Sequence, residues 1–113
     1  MENVPGLNLT ELAARHLRAA AEASSGRSAQ TLYGGAAHTL RQTLIALAEG
    51  QQLHEHENPG EATLQVLQGA VRLVAGDSEW QGAAGDLLMI PDASHRLEAS
   101  EPSVVLLTVA KLG

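Results

Sequence analysis

The chain has 113 residues, no cysteine and a formal net charge of −6, which fits one domain with a single modest core. Without cysteine it can form neither a disulfide nor a thiolate zinc site. Its few Lys and Arg residues are scattered, which argues against a nucleic-acid partner. No apolar stretch reaches membrane-spanning length and the first ten residues lack the order of a signal peptide. We therefore expect a cytoplasmic protein with no membrane partner.

The first predicted element is an amphipathic helix. Asn8 is a typical N-cap with Glu11 three residues later, and Ser24-Ser25-Gly26 marks the end. His16 lies on this helix and is expected to be a polar surface residue. We predict that residues 1–29 form a helical extension, which packs on the main body or on a second subunit. Its apolar residues recur at helical spacing: Leu9, Leu12, Ala13, Leu17 and Ala20.

After this helix the hydrophobic period changes to two. Short runs rich in Thr, Leu and Val alternate with Gly, Pro, Asn and Asp, which is typical of strands and turns. Regularly spaced short strands predict an all-β sandwich or barrel over residues 30–113. The predicted strands are Thr31–Tyr33, Thr39–Ala48, Gln51–His56, Thr63–Leu67, Ala70–Ala75, Glu79–Gln81, Leu87–Ile90, His95–Ala99 and Val104–Ala110.

Two segments, Thr43–Ala48 and Val104–Val109, are apolar on both faces. Strands of this kind are covered on both sides. The barrel interior can cover one side, whereas the other needs the amino-terminal helix or a partner subunit. We therefore predict a homodimer, the commonest closed oligomer.

Three histidines carry the strongest chemical signal. His54 and His56 are one residue apart in a predicted strand, where alternation would place both imidazoles on one side. His95 follows in a later strand. Imidazoles that converge in this way are suited to a divalent metal ion.

Two ordered motifs resemble those of the cupin superfamily. The first runs from Gly50 to Gly69 and holds His54-Glu55-His56 followed by Pro59-Gly60-Glu61; the second runs from Gly85 through Pro91 to His95. The resemblance covers residues 39–111. It implies a double-stranded β-helix, or jelly roll, with the helix added at its amino terminus.

The resemblance also implies a metal site inside one end of the barrel. Carried over by position, the ligands are His54, His56, His95 and Glu61, and the ion is Fe, Mn, Ni, Zn or Cu. Counting back from Gly69 puts Ala62 instead of Glu61 at the carboxylate position, so a solvated turn is the alternative for Glu61. The second motif is one residue tighter than the common form between Pro91 and His95.

The sequence does not assign a role to several other polar and aromatic residues. Gln42, Gln52 and Gln65 could line a pocket or lie on the outer face, and His38 begins a predicted strand. Tyr33 and Trp80 could wall a pocket, although isolated aromatic residues more often pack.

Two classes of function remain. The sequence has no nucleophile elbow and no phosphate-binding glycine loop, so an enzyme here would depend on its metal and would act on a small oxygen-bearing substrate. The alternative is a non-catalytic module that binds or senses a small ligand without a metal. No catalytic acid or base is identified, and whether the protein is an enzyme stays open.

Overall fold

The computed structural model describes residues 6–56 and 60–111, and of residues 55 and 56 it describes the backbone alone. Within these ranges the chain forms one α-helix and nine β-strands, so each predicted strand is confirmed. The elements are α1 Leu9–Glu22, β1 Arg27–Tyr33, β2 Leu40–Leu47, β3 Gln52–His56, β4 Gly60–Gln68, β5 Ala70–Ala75, β6 Ser78–Ala83, β7 Leu87–Met89, β8 His95–Ala99 and β9 Ser103–Lys111.

The helix begins where its capping signal predicts. The Asn8 side chain accepts a hydrogen bond from the backbone N–H of Glu11 at 2.9 Å, which satisfies one of the first unpaired amides. At the other end, Gly26 has a φ of 69° and turns the chain into β1. Strand β1 therefore starts at Arg27, four residues before the predicted Thr31. The division at residue 30 stays a prediction.

Two antiparallel sheets build the body of the molecule. The first has the strand order β1-β2-β9-β4-β7 and the second has the order β3-β8-β5-β6. Their inner faces meet over an aliphatic core, which confirms the predicted all-β jelly roll. The buried members of this core are Ile45, Leu47, Leu64, Val66, Val71, Leu73, Leu97, Ala99 and Val105.

Helix α1 packs on the outer face of the five-stranded sheet. Leu12, Ala13 and Ala20 of the helix pack against the sheet residues Leu44, Ala46, Val104 and Leu106 in a second buried cluster. The two segments that are apolar on both faces are thus covered by the barrel core on one side and by α1 on the other, as one of the two predicted arrangements requires.

His16 is not the surface residue that its helix position suggested. It is half-buried, and its two ring nitrogens lie 2.7 Å from Ser28 Oγ and 2.8 Å from Gln30 Oε1 on strand β1. The amide oxygen can only accept, so Nε2 carries the proton and Nδ1 accepts from the serine hydroxyl. The residue therefore ties α1 to the edge of the sheet.

No helix in the described ranges is both long and apolar enough to cross a membrane.

A tight turn joins β4 to β5 at Gly69, which has a φ of 89°. Ser103 packs directly against it, is 1% exposed, and accepts a hydrogen bond from the Ala70 N–H at 3.1 Å through its hydroxyl. A Cβ added at Gly69 would overlap that hydroxyl and the Pro102 carbonyl oxygen. The turn therefore requires glycine both for its backbone conformation and for the space.

We predict that Gly69→Ala lowers the free energy of unfolding by about 3 kcal/mol, because a strained backbone and an overpacked contact add together. The matched control is Gly76→Ala. Gly76 also has a positive φ, of 58°, but a Cβ there would meet no atom within 4 Å, so the loss should be about 1 kcal/mol. Urea denaturation measures both values, and equal losses would contradict the steric part of the argument.

Candidate functional site

Among the predicted metal ligands whose side chains the structure describes, His95 is the buried one. It begins β8, is 4% exposed, and its Nδ1 lies 2.9 Å from the Ala93 carbonyl oxygen. A carbonyl oxygen can only accept, so Nδ1 carries the proton in this hydrogen bond. In the neutral ring the other nitrogen, Nε2, then holds the lone pair. In this tautomer it is Nε2, and not Nδ1, that could coordinate a metal ion.

The ring of His95 lines a small cavity between the two sheets. The cavity has a volume of about 20 Å³, which is the space of about one water molecule. Apart from His95, the residues that line it are aliphatic: Leu53, Leu64, Leu73, Ile90, Leu97 and Leu107. The interior therefore has a low polarity and little free volume around one imidazole.

A β-bulge in β3 lies between Leu53 and His56, where the pairing with β8 shifts register. Leu53 pairs with Leu97 and His56 pairs with His95, so β3 has two residues between these pairs where β8 has one. Leu53 lines the cavity, whereas the neighbouring His54 is exposed. The extra residue interrupts the regular alternation on which the shared face of His54 and His56 was predicted.

The same bulge sets the register next to His95. It brings the backbone of His56, rather than that of Glu55, opposite His95, and antiparallel partners have Cα atoms roughly 4.5–5.5 Å apart. The side chain of His56 lies outside what the structure describes. Its role as a ligand stays a prediction.

Glu61 is exposed on β4, and the register gives the reason. Leu64 and Val66 belong to the core, and alternation along the strand puts Ala62 on their face and Glu61 on the opposite one. Counting back from Gly69 had put Ala62 at the carboxylate position of the motif, and the strand does place Ala62, and not Glu61, on the inner face. As a metal ligand Glu61 stays a prediction, and its carboxylate is not on the face that lines the cavity.

The described residues do not bring the predicted ligands together. Among them, no group of three or more His, Asp or Glu side chains is arranged to hold a metal ion. They supply one buried donor, His95, and two exposed predicted donors, His54 and Glu61. The fourth predicted ligand, His56, has a side chain that lies outside what the structure describes, so the ligand set as a whole stays a prediction.

The three glutamines with open roles lie away from the cavity. Gln42 donates a hydrogen bond from Nε2 to Thr108 Oγ1 at 3.1 Å on the outer side of the first sheet, Gln65 is exposed, and Gln52 pairs with Glu98. His38 is also outside the barrel. It is exposed in the loop between β1 and β2, where its ring meets that of Tyr33 edge to face at 5.1 Å.

The outer face of the second sheet carries a charge network that sequence analysis missed. Glu98 on β8 accepts hydrogen bonds from Arg96 Nε at 2.8 Å and from Arg72 Nε at 3.0 Å, and Arg72 also reaches Glu79 at 3.4 Å. The hydrogen bonds from Arg96 and Arg72 lower the pKa of Glu98 below its ordinary value of 4.5. The same contact with Glu98 raises the pKa of Arg72. Cross-strand pairing could have revealed these partners only once the register was known.

No protein-family model matches the chain, and no curated protein matches it. Among solved structures, the conserved SPY1581 protein of unknown function from Streptococcus pyogenes is 25% identical, with a TM-score of 0.76 over 100% of this chain and 92% of that one. A cupin superfamily protein (DSY2733) from Desulfitobacterium hafniense DCB-2 is 20% identical, with a TM-score of 0.70 over 76% of this chain and 78% of that one.

The chain has the cupin fold. An RmlC-like cupin from Desulfovibrio desulfuricans agrees, with 24% identity and a TM-score of 0.66 over 74% of this chain and 81% of that one. At such identities the likeness to the two cupins concerns the fold alone, because one fold carries many activities. The resemblance of the two sequence motifs is thereby confirmed for the architecture of the barrel.

We predict that acid removes the contribution of Glu98 to stability. Its pKa is lowered in the folded state and ordinary in the unfolded state, so the contribution is complete above about pH 4.5 and is lost as the pH falls through the folded value. At pH 7, Glu98→Gln should cost about 1 kcal/mol of unfolding free energy, since each such pair contributes roughly 0.2–1 kcal/mol. The difference from the wild type should shrink below pH 4.5. Glu101→Gln, at an exposed position, is the control, and an equal cost in both variants would contradict the role of the network.

Proposed function

We propose that this cupin binds one divalent metal ion in the barrel through Nε2 of His95. The observation that carries the proposal is the hydrogen bond from Nδ1 to the Ala93 carbonyl oxygen, in a side chain that is 4% exposed. Protein metal sites orient a ligating histidine in this way, through a carbonyl or carboxylate on its second nitrogen. The bond holds the ring orientation and makes Nε2 the ring nitrogen that could coordinate the ion.

His56 is the favoured second ligand. Its backbone is paired with that of His95 through the bulge in β3, and cross-strand neighbours are close enough to share one ion. His54 and Glu61 remain members of the predicted ligand set, but both are exposed. With one or two imidazoles as donors, the expected ion is a first-row divalent metal.

The geometry favours binding or sensing over acid–base catalysis. When bound, the ion would supply a Lewis-acid centre for a small oxygen-bearing ligand. Of the described residues around the cavity, His95 is the sole titratable one, so the described wall offers no separate general acid or base. The cavity volume of about 20 Å³ matches a ligand of the size of water rather than a larger substrate.

A metal-free module that binds a small ligand is the second candidate. The exposed positions of His54 and Glu61, together with the aliphatic wall of the cavity, favour it. In that case His95 would be a buried polar residue whose function is to hold the loop before β8 through the Ala93 carbonyl.

Metal analysis of protein made without a histidine tag tests the proposal. After loading with Zn²⁺ or Co²⁺ and extensive dialysis, we expect about one ion per chain. Because it removes the oriented donor, His95→Ala should weaken the affinity by about 100-fold or more, as measured by calorimetry. Zn²⁺ should also raise the melting temperature of the wild type, because a ligand that binds only the folded state stabilises it, and this rise should be lost in the variant.

The control is His38→Ala, which removes an exposed histidine outside the barrel and should leave the affinity unchanged. If His95→Ala fails to fold by circular dichroism, His56→Ala removes the favoured second ligand instead. His54→Ala tests whether His54 belongs to the ligand set. It should lower the affinity for the metal only if the His54 side chain coordinates the ion. A wild-type protein without metal, or full occupancy in folded His95→Ala, would leave the metal-free module as the better reading.

A further inference from the structure

Helix α1 and strand β1 are joined by a chain of three polar side chains that lies outside the barrel. Nδ1 of His16 is 2.7 Å from Ser28 Oγ, and Nε2 of the same ring is 2.8 Å from Gln30 Oε1. All three residues are half-buried. A hydroxyl on one nitrogen of an imidazole and a fixed acceptor on the other is the arrangement that activates a serine as a nucleophile.

The amide of Gln30 determines which ring nitrogen is basic. Its oxygen accepts the proton of Nε2, so the neutral ring carries its lone pair on Nδ1. The Ser28 hydroxyl donates to that lone pair. When the hydroxyl oxygen attacks a carbonyl carbon, Nδ1 of His16 is therefore in position to take its proton.

The register of β1 brings a backbone amide to the same place. Ala29, which follows Ser28, pairs with Ile45 on β2, and β1 is the outermost strand of its sheet. In the same register the Ala48 N–H donates to the Gly26 carbonyl oxygen at 2.9 Å. Antiparallel pairs alternate between those that exchange both hydrogen bonds and those that exchange none. The N–H of Ala29 therefore points away from β2, to the open edge of the sheet.

This amide has the position of an oxyanion donor. In serine hydrolases of the α/β type, the N–H of the residue after the nucleophile is one of the donors that hold the negative oxygen formed during attack. Ala29 is exposed, and so is Ala19, which lies one turn after His16 on the helix. Both side chains are single methyl groups, so a small carbonyl compound has room to approach the hydroxyl from the edge.

We propose that Ser28, His16 and Gln30 form a hydrolytic site for small carboxylic esters. Ser28 Oγ attacks the carbonyl carbon while Nδ1 of His16 takes the hydroxyl proton, and the Ala29 N–H donates to the oxygen that becomes negative. Collapse of this intermediate breaks the ester C–O bond, and Nδ1 gives the proton to the departing alcohol. Water then attacks the acyl-serine and transfers a proton to Nδ1, which returns it to Ser28 Oγ as the carboxylic acid leaves.

The three side chains have different roles. Ser28 and His16 are the catalytic residues, because they contact the reacting atoms. Gln30 is a positioning residue, since it acts through the tautomer of His16. The site shares no residue with the cavity around His95 and uses no metal ion, so it is independent of the function proposed for the barrel.

Covalent labelling with a fluorophosphonate tests the nucleophile without any variant. Ser28 Oγ forms a bond to phosphorus, fluoride leaves, and the hydroxyl proton passes to His16. We expect labelling of the folded wild type at Ser28, located by mass spectrometry of the tryptic peptide 28–41. The urea-unfolded chain should stay unlabelled, because its imidazole no longer lies beside the hydroxyl. A folded chain without label at Ser28 overturns the proposal, and so does equal labelling of both states.

Variants separate activation of the serine from a merely structural link. His16→Ala removes the base and should slow labelling of Ser28 about 100-fold or more. The control is Ser78→Ala, at an exposed serine on β6, which should not change the rate. Gln30→Glu keeps an acceptor for the Nε2 proton and adds a charge, so it should raise the rate about tenfold, because hydrogen bonds to ionised acceptors are roughly twice as strong.

A structural link alone predicts no increase in Gln30→Glu, and an unchanged or lower rate in this variant, shown to fold by circular dichroism, overturns the proposal. This test also serves if His16→Ala fails to fold.

Hydrolysis of p-nitrophenyl acetate in the presence of EDTA measures turnover apart from any metal in the barrel. The folded wild type should hydrolyse the ester faster than the unfolded chain, and Ser28→Ala should lower this rate about 100-fold. Activity that is unchanged in Ser28→Ala, or that is lost on chelation, would place the reaction elsewhere and overturn the proposal.

Discussion

The first half of strand β9 is buried on both faces, and most of the structure depends on this. Val105 faces the barrel core and Val104 and Leu106 face helix α1, all at an exposed fraction of 7% or less. A strand without a solvated face is stable only if a layer covers each side. The second sheet supplies one layer and α1 supplies the other. The helix is thus part of the core of this small chain, and the link from His16 to Ser28 and Gln30 holds it against the edge strand.

A single extra residue in β3 sets the register of the strand next to His95. Without the bulge, Leu53 and His95 would lie in a regular register with Glu55 opposite His95; with it, His56 takes that position and His54 is exposed. Bulges often redirect side chains next to functional sites. Here the bulge lies beside the buried imidazole of His95, which lines a cavity whose other described lining residues are aliphatic. The Ala93 carbonyl therefore holds the imidazole of His95 in a defined orientation within surroundings of low polarity.

Polar and apolar groups are distributed unevenly over the two outer faces. The second sheet carries a connected network of charged side chains on its outer face: Arg72, Glu79, Arg96 and Glu98. The first sheet carries α1 and, beside it, large exposed apolar side chains such as Met89 and Leu87.

Much of the fold could be predicted from the sequence. Period-two runs between turn residues identify the strands, Asn8 and Glu11 identify the helix start, and segments apolar on both faces identify the layers that must be covered, because these signals are local and depend only on neighbouring residues. The candidate site depended on the tertiary structure. Whether His54 faces inward depends on a register shift between β3 and β8, partners separated by some forty residues, and a shift of one residue moves a side chain to the other face. The burial of His95 and its bond to Ala93 likewise arise only when the two sheets close over the core.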